Sequence, residues 1–591
     1  MKPTKEETDK NPVWNLLKTE WEYLRTKRKT FSFFIFLFII ANLIALIEPL
    51  VIGSIFNSIQ NSITSQEELR KLILKISFLL VITIGFWTFH GNARYLERKT
   101  GFLVRRNFIN TKISRILDLP VSWHKDHHSG DTIDKINKSS SGIAEFSSHM
   151  NFRIVEGIIT LFGSIIILLF IDLRAAIFAL FFSVATLFGI FRFDRKIVAL
   201  HRKINKYENK ASAAVFDYLS NIITIITLRL KKTVKEEIDH KVMASFEDHK
   251  KRALLSELKW SFASVAISIM TIVVLSWRAY SDFNNNGIIM IGTLYMLYGY
   301  LHTIGRTFYN FASMYGEVLK ANARIINAKP IDEEFYKLKK ELRGKLDPNW
   351  RKITLKNVDF TYDVKGKELH LEGINVELKR GQKIAFVGES GSGKSTMLAL
   401  IRGLYDPEKG QLYCDGERIK KDLANLKNHV TLIPQDPEIF NNTIKYNITM
   451  DIPTKNIELD RAIDLARFRK VLNRLENGLD TNVLEKGVSL SGGEKQRLAF
   501  ARGILAAKDS DIVLMDEPTS SVDSLNETKI YENVFKDFKG KTVISSIHKL
   551  NLLKKFDYIY LFENGKIIAE GSLDEMKNNV KFKRFSSKLK I

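Results

Sequence analysis

The sequence predicts two unlike domains: an α-helical membrane domain of six spans with long cytoplasmic extensions, followed by an α/β phosphate-loop domain. Three observations predict this. The long apolar runs of the 591-residue chain fall within roughly its first 310 residues. A glycine-rich segment, "GESGSGKST" at Gly388–Thr396, sits between a strand-like run and an apolar helical one. The basic residues behind the formal charge of +24 crowd into alternate connections between the apolar runs. The length is too great for one core, and a composition with 45% apolar residues does not point to disorder.

The N-terminus, "MKPTKEETDKNP", mixes acids with bases ahead of any apolar run, unlike a cleaved signal or an Arg-rich transit peptide. Six segments of roughly 20 residues then suit a hydrocarbon core of about 30 Å. They are Phe31–Ile52, Leu72–Phe89, Ile154–Ile171, Ala175–Phe191, Trp260–Trp277 and Ile288–Phe311. The stretches "LRTKRKT" (24–30), "RRNFINTKISR" (105–115) and "DRKIVALHRKINKYENK" (194–210) are basic, whereas 61–71, 172–174 and 281–286 hold few Lys or Arg. The charge therefore marks cytoplasmic loops, with both termini on that side, in preference to a nucleic-acid footprint.

The connections between spans two and three and between four and five are each about 60 residues and helical in periodicity. Folded as antiparallel limbs of roughly 25 residues, each reaches about 35–40 Å from the membrane, far enough to touch a cytoplasmic domain. "DLPVSWHKDHHSGD" (118–131) supplies a break at Pro120 and Gly130, and the second tip falls near 217–223. His124, His127 and His128 lack cysteine partners and read as an exposed or interface tip more than as a metal cluster. Within the spans, Glu48, Tyr295, Tyr298, Tyr300, His302 and Arg306 are polar. A substrate path and ordinary helix packing or snorkelling both account for them, and Arg306 fits snorkelling better.

Residues 1–328 thus form the membrane domain and 329–350 a charged linker, "PIDEEFYKLKKELRGKLDP". Residues 351–591 form an α/β domain with strand candidates "KIAFVG", "HVTLIP", "DIVLMD" and "KTVISSI". The single Cys414 excludes an intrachain disulfide and a multi-cysteine zinc site, and is expected to be a small buried residue. Gly388–Ser395 fits G-x-x-x-x-G-K-[ST]. Backbone N–H groups of Gly388, Glu389, Ser390, Gly391, Ser392, Gly393 and Thr396 can curl around phosphates, Lys394 adds charge at the β- and γ-phosphates, and Ser395 can ligate Mg²⁺. "IVLMDE" adds Asp516 for the hydrated Mg²⁺ and Glu517 to polarise the attacking water.

On these motifs residues 351 to about 575 resemble the nucleotide-binding domain of ABC transporters, and the whole chain is similar to a bacterial half-size ABC exporter. The resemblance implies that Tyr362 stacks on adenine, that Gln435 in "LIPQDPEIF" contacts Mg²⁺ and water, and that "TNVLEKG" (481–487) is the exporter-type X-loop. It further implies that "SSVD", ending in Asp523, is the D-loop and that His548 in "SSIHKL" switches on the γ-phosphate. Ser491, Gly492 and Gly493 of "LSGGEKQR" would face the ATP held by a second cassette, where a helix N-terminus offers free N–H groups. Glu494, Lys549 and Ser521-Val522 depart mildly from the family pattern and remove no catalytic group.

The expected function is ATP-driven, Mg²⁺-dependent export or flipping of a hydrophobic or amphipathic substrate by a homodimer in the bacterial inner membrane. Uptake through an exporter-like fold and one half of a heterodimer are the alternatives. A soluble nucleic-acid ATPase is disfavoured by the six spans, so the expected partners are a second identical subunit, the bilayer and the substrate, with no nucleic acid. The short lead before span one leaves no room for a peptidase domain, and lipid, peptide and drug stay open as substrates.

Overall fold

The computed structural model describes residues 11–127, 129–338, 349–362, 369–419, 426, 429–436, 438–483, 490–520, 522 and 524–588. The chain divides into two compact units. One comprises Met1–Asp118 and Ser129–Phe335, and the other Leu119–His128 and Tyr336–Ile591. The division falls inside the charged linker, and the tip of the first arm groups with the second unit.

The first unit is helical. Asn11 caps α1 (Pro12–Leu24), its side chain accepting from the Val13 N–H at 3.0 Å. The span expected over 31–52 comprises two helices, α2 (Arg28–Ala45) and α3 (Glu48–Gln60), with a break between them. Pro49 is the cause, since it has no N–H to continue the ladder and suits the first turn of a new helix. The Tyr300 hydroxyl donates to the Leu46 carbonyl at 2.7 Å, satisfying the break. Ser65 and Glu68 form a reciprocal capping box that starts α4 (Gln66–Leu117), 52 residues long and so about 78 Å.

The chain then turns through α5 (Val121–Asp126), with Pro120 at its head, and enters α6 (Ser129–Glu145). Gly130, expected in the break, lies instead inside α6, and extended backbone at His127 makes the second corner. A π turn (Phe146–Met150) joins α6 to α7 (Asn151–Ile171), and α8 (Leu173–Ser220) follows. The second tip comprises a short helix, Ile222–Thr227, and a turn through Leu228–Leu230, after which Lys231–Met243 packs back on α8. The unit closes with α9 (Phe246–Asn286), α10 (Ile291–Ile326) and α11 (Lys329–Leu338).

Among the described residues, five helical stretches are long and apolar enough to cross a membrane: Pro12–Gln60, Gln66–Leu117, Ser129–Ile171, Leu173–Ser220 and Lys231–Asn285. The sixth expected span falls on α10, a continuous helix whose tyrosines, His302 and Arg306 lower its apolarity. Tyr300 is buried and serves packing, whereas Tyr298, His302, Arg306 and Glu48 are exposed on this chain. Gly53 of α3 and Gly292 of α10 lie so close that a Cβ on Gly292 would stand 2.0 Å from the Gly53 carbonyl oxygen. Such small-residue contacts let helices approach where lipid gives no hydrophobic drive.

The second unit is built on two sheets. An antiparallel sheet contains β1 (Lys352–Phe360), β2 (Leu371–Lys379), β4 (Lys409–Cys414) and β5 (Glu417–Arg418) in the order β2-β1-β4-β5. Half-buried Cys414 ends β4. The larger sheet has β3 (Lys383–Gly388), β6 (Val430–Ile433), β9 (Ile512–Asp516), β10 (Thr542–Ile547), β11 (Tyr558–Glu563) and β12 (Lys566–Gly571) in the order β12-β11-β3-β10-β9-β6. All its pairings are parallel except β11 with β12. A two-stranded ribbon, β7 (Asn442–Thr443) with β8 (Asn482–Val483), stands apart.

Both faces of the larger sheet are buried, as near-continuous apolar strands require. Ile384, Phe386, Ile512, Leu514 and Ile544 point into a core shared with the antiparallel sheet and with α12 (Lys394–Ile401). The alternate residues Ala385, Val387, Val513, Met515 and Val543 point into a second core shared with α13 (Gly492–Ala506) and α14 (Ser524–Asp537). Phe386 is fully buried, its ring centroid 5.0 Å from that of Phe562. Phe386→Ala is expected to cost about 3–5 kcal/mol, seen by calorimetry of the detergent-solubilised chain as a lower unfolding temperature.

Candidate nucleotide site

The loop that follows β3 turns directly into α12. Gly388 (φ +153°) and Gly393 (φ +106°) hold backbone conformations that L side chains rarely adopt. A Cβ at Gly388 would meet the Phe562 carbonyl oxygen at 2.4 Å, and one at Gly393 the Leu371 side chain at 2.6 Å. At Gly391 nothing lies within 4 Å, so the loop is open on that side. The bare backbone and the helix N-terminus together make an anion cradle.

Lys394 is buried and donates to the carbonyls of Gly388 at 3.0 Å and Glu389 at 2.9 Å. Burial pulls its amine below the ordinary range, and the nearby Glu517 and Asp516 charges oppose this in part. Its charge thus stands inside the loop with only neutral carbonyls as hydrogen-bond partners, a position that suits a phosphate.

The C-terminal edge of the parallel strands gathers the remaining polar groups. Ser395 Oγ donates to Asp516 Oδ1 at 3.0 Å, and Ser546 Oγ reaches the same oxygen at 2.6 Å. Ser546 Oγ also accepts from the Glu517 N–H at 2.9 Å, because the register of β10 with β9 sets Ser546 beside Asp516. Gln435 Nε2 donates to Glu517 Oε2 at 2.9 Å, and His548 Nε2 pairs with Glu517 Oε1. Glu517 itself has φ +42°, a strained setting for a side-chain-bearing residue. Glu517 thus contacts both of the other residues expected to act in hydrolysis. The hydroxyl of Ser395 and the carboxylate of Asp516 form an oxygen donor pair that fits a hard divalent cation.

Tyr362 is 43% exposed, its hydroxyl donating to Thr396 Oγ1 at 3.3 Å. Phe360, His370 and Tyr405 meet its ring edge-on at centroid distances of 4.8, 5.1 and 5.2 Å. Lys125, from the arm-tip helix α5, places its ammonium 5.0 Å from the Tyr362 ring and 5.1 Å from that of Tyr405. His127 stacks on Trp123 at 4.2 Å, with its Nδ1 2.8 Å from the Trp123 carbonyl oxygen. Among the described residues no group of three or more His, Cys, Asp or Glu is arranged to hold a metal ion.

Ser491 is the N-cap of α13, and Gly492 and Gly493 are its first residues. A Cβ at Gly492 would meet nothing within 4 Å, so this helix end is open. Glu494 accepts from the Ser491 N–H at 2.9 Å in a capping box and pairs with Arg474. Burial pushes its carboxyl up, but those hydrogen bonds outweigh it and hold the group below the ordinary range. The S-x-x-E spacing could have announced this in the sequence. Lys549, the other departure, pairs with Glu527 at 2.8 Å. Ser546, Tyr405 and Lys125 carried no sequence signal, since only strand register and chain folding bring them here. Asp523, Ser521 and residues 484–487 of the X-loop lie outside the described residues.

The ABC transporter family matches residues 371–520, and the ABC transporter transmembrane region matches residues 31–307. The chain is 23% identical over 535 residues to an export ATP-binding/permease protein of Rickettsia typhi, covering 90% of this chain and 92% of that one. It is 25% identical over 578 residues to the multidrug resistance ABC transporter ATP-binding and permease protein of Lactococcus lactis, covering 96% and 94%. A bacterial Atm1-family ABC exporter solved with ATP bound has the same fold, with a TM-score of 0.79 at 23% identity over 96% of this chain and 99% of that one. The two matched regions lie in order on one polypeptide, and the chain belongs to the ABC transporters, with the family's membrane region and its ATP-binding cassette fused.

Proposed function

We propose that two copies of this chain form an ATP-driven exporter of a hydrophobic or amphipathic substrate in the bacterial cytoplasmic membrane, with six spans per copy and the termini cytoplasmic. The observation that carries the dimer is the placement of the two anion-binding helix ends. The phosphate loop leads into α12 on one face of the sheet, and Ser491–Gly493 head α13 on the other. One nucleotide cannot be sandwiched between them within a single chain. Both ends are open, at Gly391 and Gly492, as two halves of an intermolecular site would be.

In this reading Tyr362 stacks on adenine, the N–H groups of residues 388–396 and Lys394 hold the phosphates, and Ser491–Gly493 of the second copy close over the γ-phosphate. Ser395, Asp516 and Gln435 would hold Mg²⁺, which neutralises charge on the β- and γ-phosphates. Glu517 orients the attacking water, and Gln435 and His548 position its carboxylate. ATP must bind the closed pair of cassettes better than the open pair for binding to do mechanical work. Export is supported by the relatives named for export and multidrug resistance, and transport into inside-out vesicles would separate it from uptake.

Glu517→Gln is expected to leave ATP binding intact while lowering turnover by about 10²–10⁴-fold. Hydrolysis near the wild-type rate would remove Glu517 from this role. Lys394→Ala is expected to weaken ATP binding by about 10–100-fold, the loss of a charged hydrogen-bond donor worth about 1.5–3 kcal/mol, measured by equilibrium nucleotide binding.

Chains carrying Ser491→Arg and chains carrying Lys394→Ala should each be inactive alone, the first because a large side chain blocks the cassette interface. Mixed in one dimer, both lesions fall on the same shared site and leave the other intact, so ATPase activity should return in part. A signature acting on its own chain's ATP would give no rescue.

A further inference from the structure

Where α1, α4 and the π turn meet, outside the spans expected at 31–52, 72–89 and 154–171, the first unit buries two carboxylates beside one guanidinium. Glu97 of α4 and Glu20 of α1 are 0% and 1% exposed, and Ser147 and Asn151 around them are equally shut off. The two acids are served unequally. Glu97 accepts from the Phe152 N–H at 3.1 Å and pairs with Arg94. Arg94 also reaches the Ser148 carbonyl at 3.4 Å and His149 Nδ1 at 3.2 Å, and lies 5.6 Å from the Phe152 ring. Glu20 has one neutral donor, Asn151 Nδ2 at 3.0 Å on Oε1. Its Oε2 is buried without a hydrogen-bond partner, and so is Ser147 Oγ in the π turn.

We propose that Glu20 is a proton-binding site: its carboxyl group is held neutral and donates from Oε2 to Ser147 Oγ, while Glu97 stays ionised against Arg94. One proton then settles both the charge and the two orphaned oxygens. Two buried anions cannot share one cation without a large desolvation cost. Burial pushes both carboxyls up to about 7. Arg94 and the Phe152 N–H oppose this at Glu97, whereas only the neutral Asn151 and Ser147 oppose it at Glu20.

Four charged groups on the surrounding elements are engaged elsewhere. Glu145 on α6 pairs with Arg324 at 3.3 Å, and Arg153 on α7 with Glu317 of α10 at 2.6 Å. Arg25 donates to Thr111 at 2.7 Å, and Arg28 of α2 lies 5.0 Å from the Trp21 ring. His149 is drawn below its usual range by burial and then by Arg94 and Arg98, so it brings no cation. The π turn is what presents Ser147 and His149 here, a local insertion of the sort that recurs at functional sites.

The site ties the N-terminal helix to the head of α7 through a titratable hydrogen bond, which makes this junction responsive to cytoplasmic pH. The folded value lies above the ordinary one of 4.5, so the stabilisation is complete below that value and is lost as pH rises through about 7. The test uses the full chain in lipid nanodiscs, followed by infrared difference spectroscopy and by thermal unfolding from about pH 4.5, the ordinary carboxyl value, to about pH 8. Wild type should show a buried protonated-carboxyl band that disappears with a midpoint near neutrality. Glu20→Gln should fold, lack that band, and lose the wild-type fall in unfolding temperature over the same range. A band that survives in Glu20→Gln, or that vanishes only in Glu97→Gln, would overturn the assignment. So would an unchanged pH dependence of unfolding, or a Glu20→Gln chain that fails to fold, because the amide matches the neutral acid in size and charge.

Discussion

The burial of both faces of the six-stranded sheet is the constraint on which the cassette depends. Strands without a polar face must be covered on each side, so the helix after the phosphate loop and the helix after the signature are driven to opposite sides. Residues that alternate by one along β3, Ile384 and Phe386 against Ala385 and Val387, belong to different cores for this reason. The same parallel register lines up strand ends, so Asp516 and Ser546 become neighbours and Glu517 comes within reach of His548. Chemistry collects at that edge because the backbone there emerges from the core with its polar side chains free to converge.

Among the described residues the first unit has no such sheet, and its long helices are held in register by two other means. Small residues such as Gly53 and Gly292 permit backbone contact, and buried or half-buried ion pairs fix the ends. Lys259 meets Asp194 at 3.0 Å, while Lys112 and Arg115 both meet Asp332. Such pairs contribute little net stability against the cost of desolvating them, but a one-turn slip of either helix would strand a charge. Glu20 stands out against this pattern as a buried acid with no cation of its own.

Most of the cassette was legible because its chemistry is local. The strand candidates around 383–388, 430–433, 512–516 and 542–547 each became a strand, since a short apolar run between turn residues has few other uses. Departures in the membrane region have local causes as well. Pro49 divides the first span into two helices, and Gly130 is absorbed into a helix because Pro120 and His127 already make the turn. The polar residues of α10 were ambiguous in sequence. Helical phase resolves one of them, turning Tyr300 inward to the Leu46 carbonyl and leaving Tyr298 and His302 outside.

The sequence by itself determined the two-part organisation, the positions of the apolar helices, the phosphate loop and the acidic pair Asp516-Glu517. Each of these rests on spacing within a few residues or on hydropathy, which the chain carries wherever it folds. Tertiary structure alone decided that Gln435 and His548 converge on Glu517, that Ser546 orders the acidic pair, and that the two helix heads left open at Gly391 and Gly492 occupy opposite faces. It also decided that Glu20 and Glu97, 77 residues apart in the chain, are buried within reach of each other's charge while Arg94 pairs with Glu97 alone. Those outcomes follow from strand register and helix packing, which bring together residues with no sequence relation and set the dielectric in which their charges meet.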